Sequence, residues 1–123
     1  MKRFILLIAC MFCAASSFAD FNVSIGRVGC VSPGHTASVP IYLDNPAPGI
    51  QFGGFELQIA YSVSLTFQSA QPGEVYSDCG WEYFWTQQSG PGRVRIIAVA
   101  DINNGASHPS CYGDHSGVIA SLR

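Results

Sequence analysis

From Phe55 onward every second residue is apolar: Phe55, Leu57, Ile59 and Tyr61 alternate with Gly54, Glu56, Gln58 and Ala60. A period of two deals side chains to opposite faces of an extended segment, so this stretch predicts a half-buried strand. Gly53 and Gly54 stand at its start, where a strand bends or lets another backbone approach. Ser62 to Ser64 predicts a short turn into a further strand around Leu65 and Phe67, running toward Ala70.

The same alternation recurs on either side. Phe21, Val23 and Ile25 predict a first strand reaching about Val28, closed by the turn residues Ser32-Pro33-Gly34. Val39, Ile41 and Leu43 predict a second. Pro40 has no N–H for a ladder, so that strand is expected at a sheet edge, or with Pro40 where no partner is needed. Residues 44–49 read as a loop and Gln71-Pro72-Gly73 as a turn. In the aromatic run 81–85, period two sets Trp81, Tyr83 and Trp85 on one face and Glu82 and Phe84 on the other, with Ser89-Gly90-Pro91-Gly92 closing the segment. Arg93 to Asp101 is the clearest buried strand, with Val94, Ile96, Ala98 and Ala100 on one face and Arg93, Arg95, Ile97, Val99 and Asp101 on the other. After a polar loop over 103–117, Val118, Ala120 and Leu122 restart the alternation. No segment beyond residue 20 sustains a helical period. Short strands spaced by turns predict an all-β, antiparallel sandwich or barrel.

Charge and cysteine usage narrow the setting. Met1-Lys2-Arg3, the apolar run 4–15 and Ser17-Phe18-Ala19 have the form of a secretory signal peptide over 1–19, leaving a single domain over 20–123. The apolar run is shorter than the about 20 residues a membrane span requires. Leu7-Ile8-Ala9-Cys10 also has the letters of a lipoprotein box, but that reading leaves the apolar run too short. Beyond residue 19 four arginines (Arg27, Arg93, Arg95, Arg123) face eight acidic residues, a net −4 with no lysine, which argues against a nucleic-acid surface. The same segment holds Cys30, Cys79 and Cys111. In an oxidising compartment three cysteines imply one disulfide and a remaining thiol, or a partner for the third beyond the end of this chain. The favoured pairing is Cys79 with Cys111, each in a loop otherwise weakly held, and the other two pairings stay open.

The segments 23–28, 33–45, 54–61, 65–67, 71–75, 92–101 and 117–122 together, among them PGHTASVPIYLDN, GFELQIAY and GRVRIIAVAD, resemble the cohesin family in order and spacing. The resemblance implies a jelly-roll β-sandwich on a secreted or cell-surface protein, with the family's last strands missing from this chain. It also implies a dockerin domain as partner, in assemblies that degrade polysaccharide. The Asp-Pro that usually follows the family's tyrosine is Ser62-Val63 after Tyr61 here, and the polar anchors of dockerin-binding members fall at about Gly54 and Glu56. The expected contact face holds Gly54 for close approach, Glu56, Gln58 and Arg95 as polar contacts, and Ile97 and Val99 as apolar anchors. An alternative is a carbohydrate-binding module stacking sugars on Trp81, Tyr83 and Trp85. A third is a structural spacer.

Catalysis finds little footing. Gly113-Asp114-His115-Ser116-Gly117 puts histidine where a nucleophile elbow needs serine. Glu56, Glu74 and Glu82 are the carboxylates from which a glycosidase pair would come, and nothing in their spacing brings two together. His108, Cys111 and His115, with Asp114 or Cys79, have zinc-ligand chemistry at loose spacing. The run 101–105 hints at a calcium loop, but its glycine is one position early and Tyr112 stands where the acidic twelfth residue belongs. The expectation is a non-catalytic module without metal or cofactor.

Overall fold

Val94, Ile96, Ala98 and Ala100, the inward set of the strand predicted as most buried, are at most 1% exposed. Everything else packs around them. The computed structural model describes residues 22–44, 51–103, 105–110 and 116–123. Among these the elements run β1 (Asn22–Ile25), β2 (Val39–Asp44), β3 (Gly54–Ala60), β4 (Ala70–Pro72), α1 (Glu74–Asp78), β5 (Tyr83–Gly90), β6 (Arg93–Val99) and β7 (Gly117–Leu122). One sheet has the order β1-β2-β7-β4 and the other β3-β6-β5, with all pairs antiparallel. The chain passes repeatedly from one sheet to the other, as in a jelly roll, so the predicted sandwich is the observed architecture. Ile41 and Leu43 of β2, Ile119 and Ala120 of β7 and Ala70 of β4 meet Ile96 and Ala98 of β6 between the layers.

Pro40 shows how a proline fits inside a sheet. Its strand is not an edge, since β2 lies between β1 and β7. The Pro40 carbonyl accepts a bond from the Gly26 N–H at 2.7 Å, so its ring nitrogen faces the same side, just past the end of β1. Here the ladder requires no further donor. A Cβ on Gly26 would lie 2.6 Å from the Pro40 ring, so the glycine makes room for that ring, and with no Pro40 N–H to extend the ladder β1 stops at Ile25 rather than continuing to Val28.

In β7, simple alternation fails at a bulge. Tyr42 pairs with Val118 and Ile41 with Ala120, so Ile119 is the extra residue. Both Ile119 and Ala120 turn inward and both are buried, whereas period two placed them on opposite faces.

Three further expectations are corrected. The strand expected from Leu65 to Ala70 is irregular until Ala70, and Gln71 and Pro72, expected in a turn, pair with Ser121 and Ala120 as part of the edge strand β4. Residues 74–78 form a helical turn that period reading did not show. The Tyr76 and Ser77 N–H groups bond back to the Gly73 carbonyl at 3.2 and 3.3 Å, and Val75 is driven into the core. β5 begins at Tyr83, leaving Trp81 ahead of the strand.

Candidate functional site

The three-stranded sheet has an outer face built in rows. Because β6 is its middle strand, each of its outward residues is flanked by one residue of β3 and one of β5. Val99 stands between Gly54 and Tyr83, Ile97 between Glu56 and Trp85, and Arg95 between Gln58 and Gln87. Directly opposed residues in an antiparallel pair share a face, and the intervening Ala98 and Ile96 are fully buried, so these rows point away from the core. Gly54, Glu56, Gln58, Arg95, Ile97 and Val99, the residues expected to meet a partner, therefore lie on one surface.

That surface is graded. One end is apolar, with Val99, Ile97 and Trp85 half-buried and the Tyr83 ring exposed; the other carries Arg95, Gln58 and Gln87. Arg95 Nε donates to Glu56 Oε1 at 2.8 Å, crossing diagonally from the third row to the second. That hydrogen bond is the main cause holding the Glu56 carboxyl below its ordinary range. Desolvation opposes it, and the attraction of the guanidinium and a bond from Gln58 add smaller pulls in the same direction as the hydrogen bond. Arg95 is raised by the same pair.

Gly54 admits the close approach of another backbone, as expected of a glycine at the start of this strand. A Cβ there would sit 2.9 Å from the Ala98 carbonyl oxygen, so the glycine lets β6 approach β3. Its closeness is used within the sheet.

The aromatic trio does not form a platform. Trp81 is buried, with its ring 5.5 Å from Phe52, 5.8 Å from Phe55 and 6.4 Å from Tyr76, and Phe84 packs inward on Tyr76 at 5.8 Å. Tyr83 and Trp85 alone reach the outer face, beside Val99 and Ile97. Sequence reasoning held them apart as a separate site and left out Gln87. The signal it lacked was the pairing of Trp85 with Ile97, which places the two sets in one row.

The remaining candidates disperse. Glu74 accepts from the Val118 N–H at 3.2 Å, and Glu82 accepts from the Ile102 N–H at 2.9 Å and from Asn103 Nδ2 at 2.6 Å. With Glu56 on Arg95, the three carboxylates sit in three separate hydrogen-bonded settings. In the 101–105 run, Asn103 Oδ1 accepts from the Gly105 N–H at 2.7 Å, ordinary turn chemistry, and Asp101 is tied to His108 Nδ1. Cys111, Asp114 and His115 lie outside the described residues, among which no group of three or more His, Cys, Asp or Glu gathers to hold a metal. Cys79 is disulfide-bonded and Cys30 is a free, exposed thiol. Residues 1–19 also lie outside the described residues, among which no helix is long and apolar enough to cross a membrane.

Two open grooves, about 510 and 750 Å³, lie around Tyr61, Leu65 and Phe67. The smaller is lined by the 90–92 turn and the larger by the 31–37 segment and Arg123, and among the described residues no Asp or Glu side chain lines either.

No family model matches the chain, and no curated protein does. Two solved structures are similar to it. One is the sixth cohesin of scaffoldin B from Acetivibrio cellulolyticus, solved in complex with a mutant Cel5 dockerin. It has a TM-score of 0.64 and 22% identity, over 83% of this chain and 67% of that one. The other is CaCohA2 from Clostridium acetobutylicum, with a TM-score of 0.59 and 24% identity, over 85% of this chain and 63% of that one. This chain thus spans about two thirds of the length of either. At such identity the likeness speaks for architecture, and the architecture of the described residues is that of a cohesin.

Proposed function

We propose that this chain is a non-catalytic protein-interaction module of a secreted or cell-surface protein, and that it binds its partner with the outer face of the β3-β6-β5 sheet. The observation that carries this reading is the row structure itself. Ile97, Val99, Trp85 and Tyr83 form an apolar patch bordered by the Glu56–Arg95 pair, Gln58 and Gln87. An apolar patch flanked by polar side chains suits a specific interface: the rings and branched side chains supply burial, and the polar border fixes orientation. The partner class is a dockerin-type domain. This rests on likeness to a cohesin solved with a dockerin. A signal peptide over 1–19 and a Cys79–Cys111 disulfide complete the proposal, the second supported by the bonded state of Cys79 and the free state of Cys30.

The test is retention of dockerin domains on immobilised chain. Glu56→Lys and Val99→Lys, both at outward positions, are expected to abolish retention while the circular dichroism stays that of a β-protein. Retention that survives both substitutions places the contact elsewhere. Sugar binding is the second reading, now confined to Tyr83 and Trp85 on this same face. Retention on polysaccharide that disappears with Trp85→Ala would favour it.

A further inference from the structure

The walls of the smaller groove come from the 61–67 segment and the tip of the β5–β6 hairpin; Leu122 and Arg123 line only the larger one, on the other flank of 61–67. It opens at one end of the sandwich, apart from the outer face. Gln88 pairs with the fully buried Val94 and so stands on the opposite side of β5 from Gln87. Tyr61 continues the inward series Phe55, Leu57 and Ile59, just past the end of β3.

Tyr61 is held from three directions. Its N–H donates to the Gly92 carbonyl at 2.8 Å, its ring lies 6.5 Å from that of Phe67, and its hydroxyl accepts from Gln88 Nε2 at 2.9 Å. The last bond leaves capacity over: the Tyr61 hydroxyl keeps its proton to donate, and Gln88 Oε1 keeps its lone pairs to accept. With the amide turned over the roles exchange, and one donor still stands beside one acceptor. Around this pair the groove is uncharged, since no Asp, Glu, Lys, Arg or His side chain lines it. Its rim carries Val63 and Leu65, 77% and 63% exposed, the two most exposed large apolar side chains among the described residues. Apolar groups left in water beside a groove mark a place where something binds.

We propose that this groove binds a neutral saccharide unit. A sugar ring carries polarised C–H groups on its faces, which suit the electron-rich faces of aromatic rings and the aliphatic rim. Around its edge it carries neutral hydroxyls, each both donor and acceptor, so two neighbouring hydroxyls match the free donor and acceptor of Tyr61 and Gln88. Phe67, Leu65 and Val63 meet the C–H face. A charged ligand would find no counter-ion here, and a purely apolar one would strip water from Tyr61 and Gln88 without replacing it. At about 510 Å³ the groove has the size of an ordinary small-ligand site, and because it is open a unit within a longer chain fits as well as a free sugar. The site lies apart from the outer face, so the module holds a glycan at its end and a protein partner on its sheet.

NMR titration of the whole chain with cellohexaose, xylohexaose and mannohexaose, each at low and high salt, tests this. At least one is expected to shift the Tyr61 and Gly92 backbone amides and the Gln88 side-chain amide saturably, and equally at both salts because no charge takes part. The Tyr83 and Trp85 signals should stay in place. Tyr61→Phe keeps the ring and removes the hydroxyl, and Gln88→Ala, at an exposed position, removes the amide. Each is expected to raise the dissociation constant about tenfold. Neither the titration nor the variants depend on the dockerin reading. The proposal is overturned if none of the three sugars moves the groove signals, or if binding is as tight in both variants as in the parent. It is equally overturned by shifts confined to Tyr83 and Trp85, which would assign the sugar to the outer face, or by a response to a charged oligogalacturonate alone.

Discussion

Arg95 reaches past Gln58, its neighbour in the ladder, to place Nε 2.8 Å from the Glu56 carboxylate on the adjoining strand. The diagonal pair fixes the polar part of the outer face at the edge of its apolar patch. Because the Glu56 carboxyl is held below its ordinary value of about 4.3, the pair's contribution is fully present above that value and is lost only as pH falls through the lower, folded one. Both side chains are well exposed, so the loss should leave thermal stability nearly unchanged. A carboxyl chemical-shift titration is expected to put the Glu56 midpoint below the ordinary range, and Arg95→Ala should move it back up. Identical midpoints in the two proteins would mean that the pair does not persist in solution.

Trp81 and Trp85 should separate cleanly. The buried Trp81 ring packs on Phe52, Phe55 and Tyr76, so Trp81→Ala is expected to cost about 3–5 kcal/mol. Its indole Nε1 has no hydrogen-bond partner among the described residues. Trp81→Phe, which removes that orphaned donor along with some volume, should therefore cost clearly less. Trp85→Ala, on the outer face, should change stability little and partner retention strongly. Urea unfolding of the three variants checks the order, and a Trp81→Ala protein as stable as the parent would contradict the burial.

How much of this was legible in the sequence depends on the scale of the feature. The faces of β3 and β6 followed from period two, because each runs seven residues with one side against the core. The relation between strands was hidden: nothing in the order of residues states that Trp85 pairs with Ile97, so one surface read as two candidate sites. Local departures escaped for their own reasons. Five residues of α1 are too few to display a helical period, the extra residue in β7 turned two consecutive side chains inward, and the run from Trp81 to Trp85 kept its alternation across the point where the strand begins.

Glycines at two positions offer a test of backbone geometry. Gly92 adopts φ of 65° in the β5–β6 turn, and a Cβ there would also meet the Tyr61 carbonyl. Gly92→Ala is expected to cost about 1–3 kcal/mol, seen as a lower urea midpoint with an unchanged slope. At Gly54 the conflict is with the Ala98 backbone. There Gly54→Ala should cost about as much through overpacking, about 1–3 kcal/mol, and should loosen the β3–β6 amides in hydrogen exchange. Unaltered protection at Gly54→Ala would show that the strands can part to admit a methyl group at no expense.

The cysteines should behave unequally. Cys79 follows α1 directly, where its N–H closes the helical turn on the Val75 carbonyl at 3.2 Å, and it is disulfide-bonded; Cys30 is a free thiol on the surface. A cross-link anchored at Cys79 restricts the unfolded chain and ties down the turn that places Val75 and Trp81 in the core, so Cys79→Ser is expected to cost about 2–5 kcal/mol. Cys30→Ser, which breaks no covalent bond, should leave the urea midpoint in place. Alkylation of the native protein should label Cys30 and spare Cys79, with Cys79 becoming reactive only after reduction. If Cys79 is labelled without reductant, or if the two serine variants unfold at the same urea concentration, then the cross-link contributes nothing to holding α1 against the sheets, and the burial of Val75 and Trp81 alone must do it.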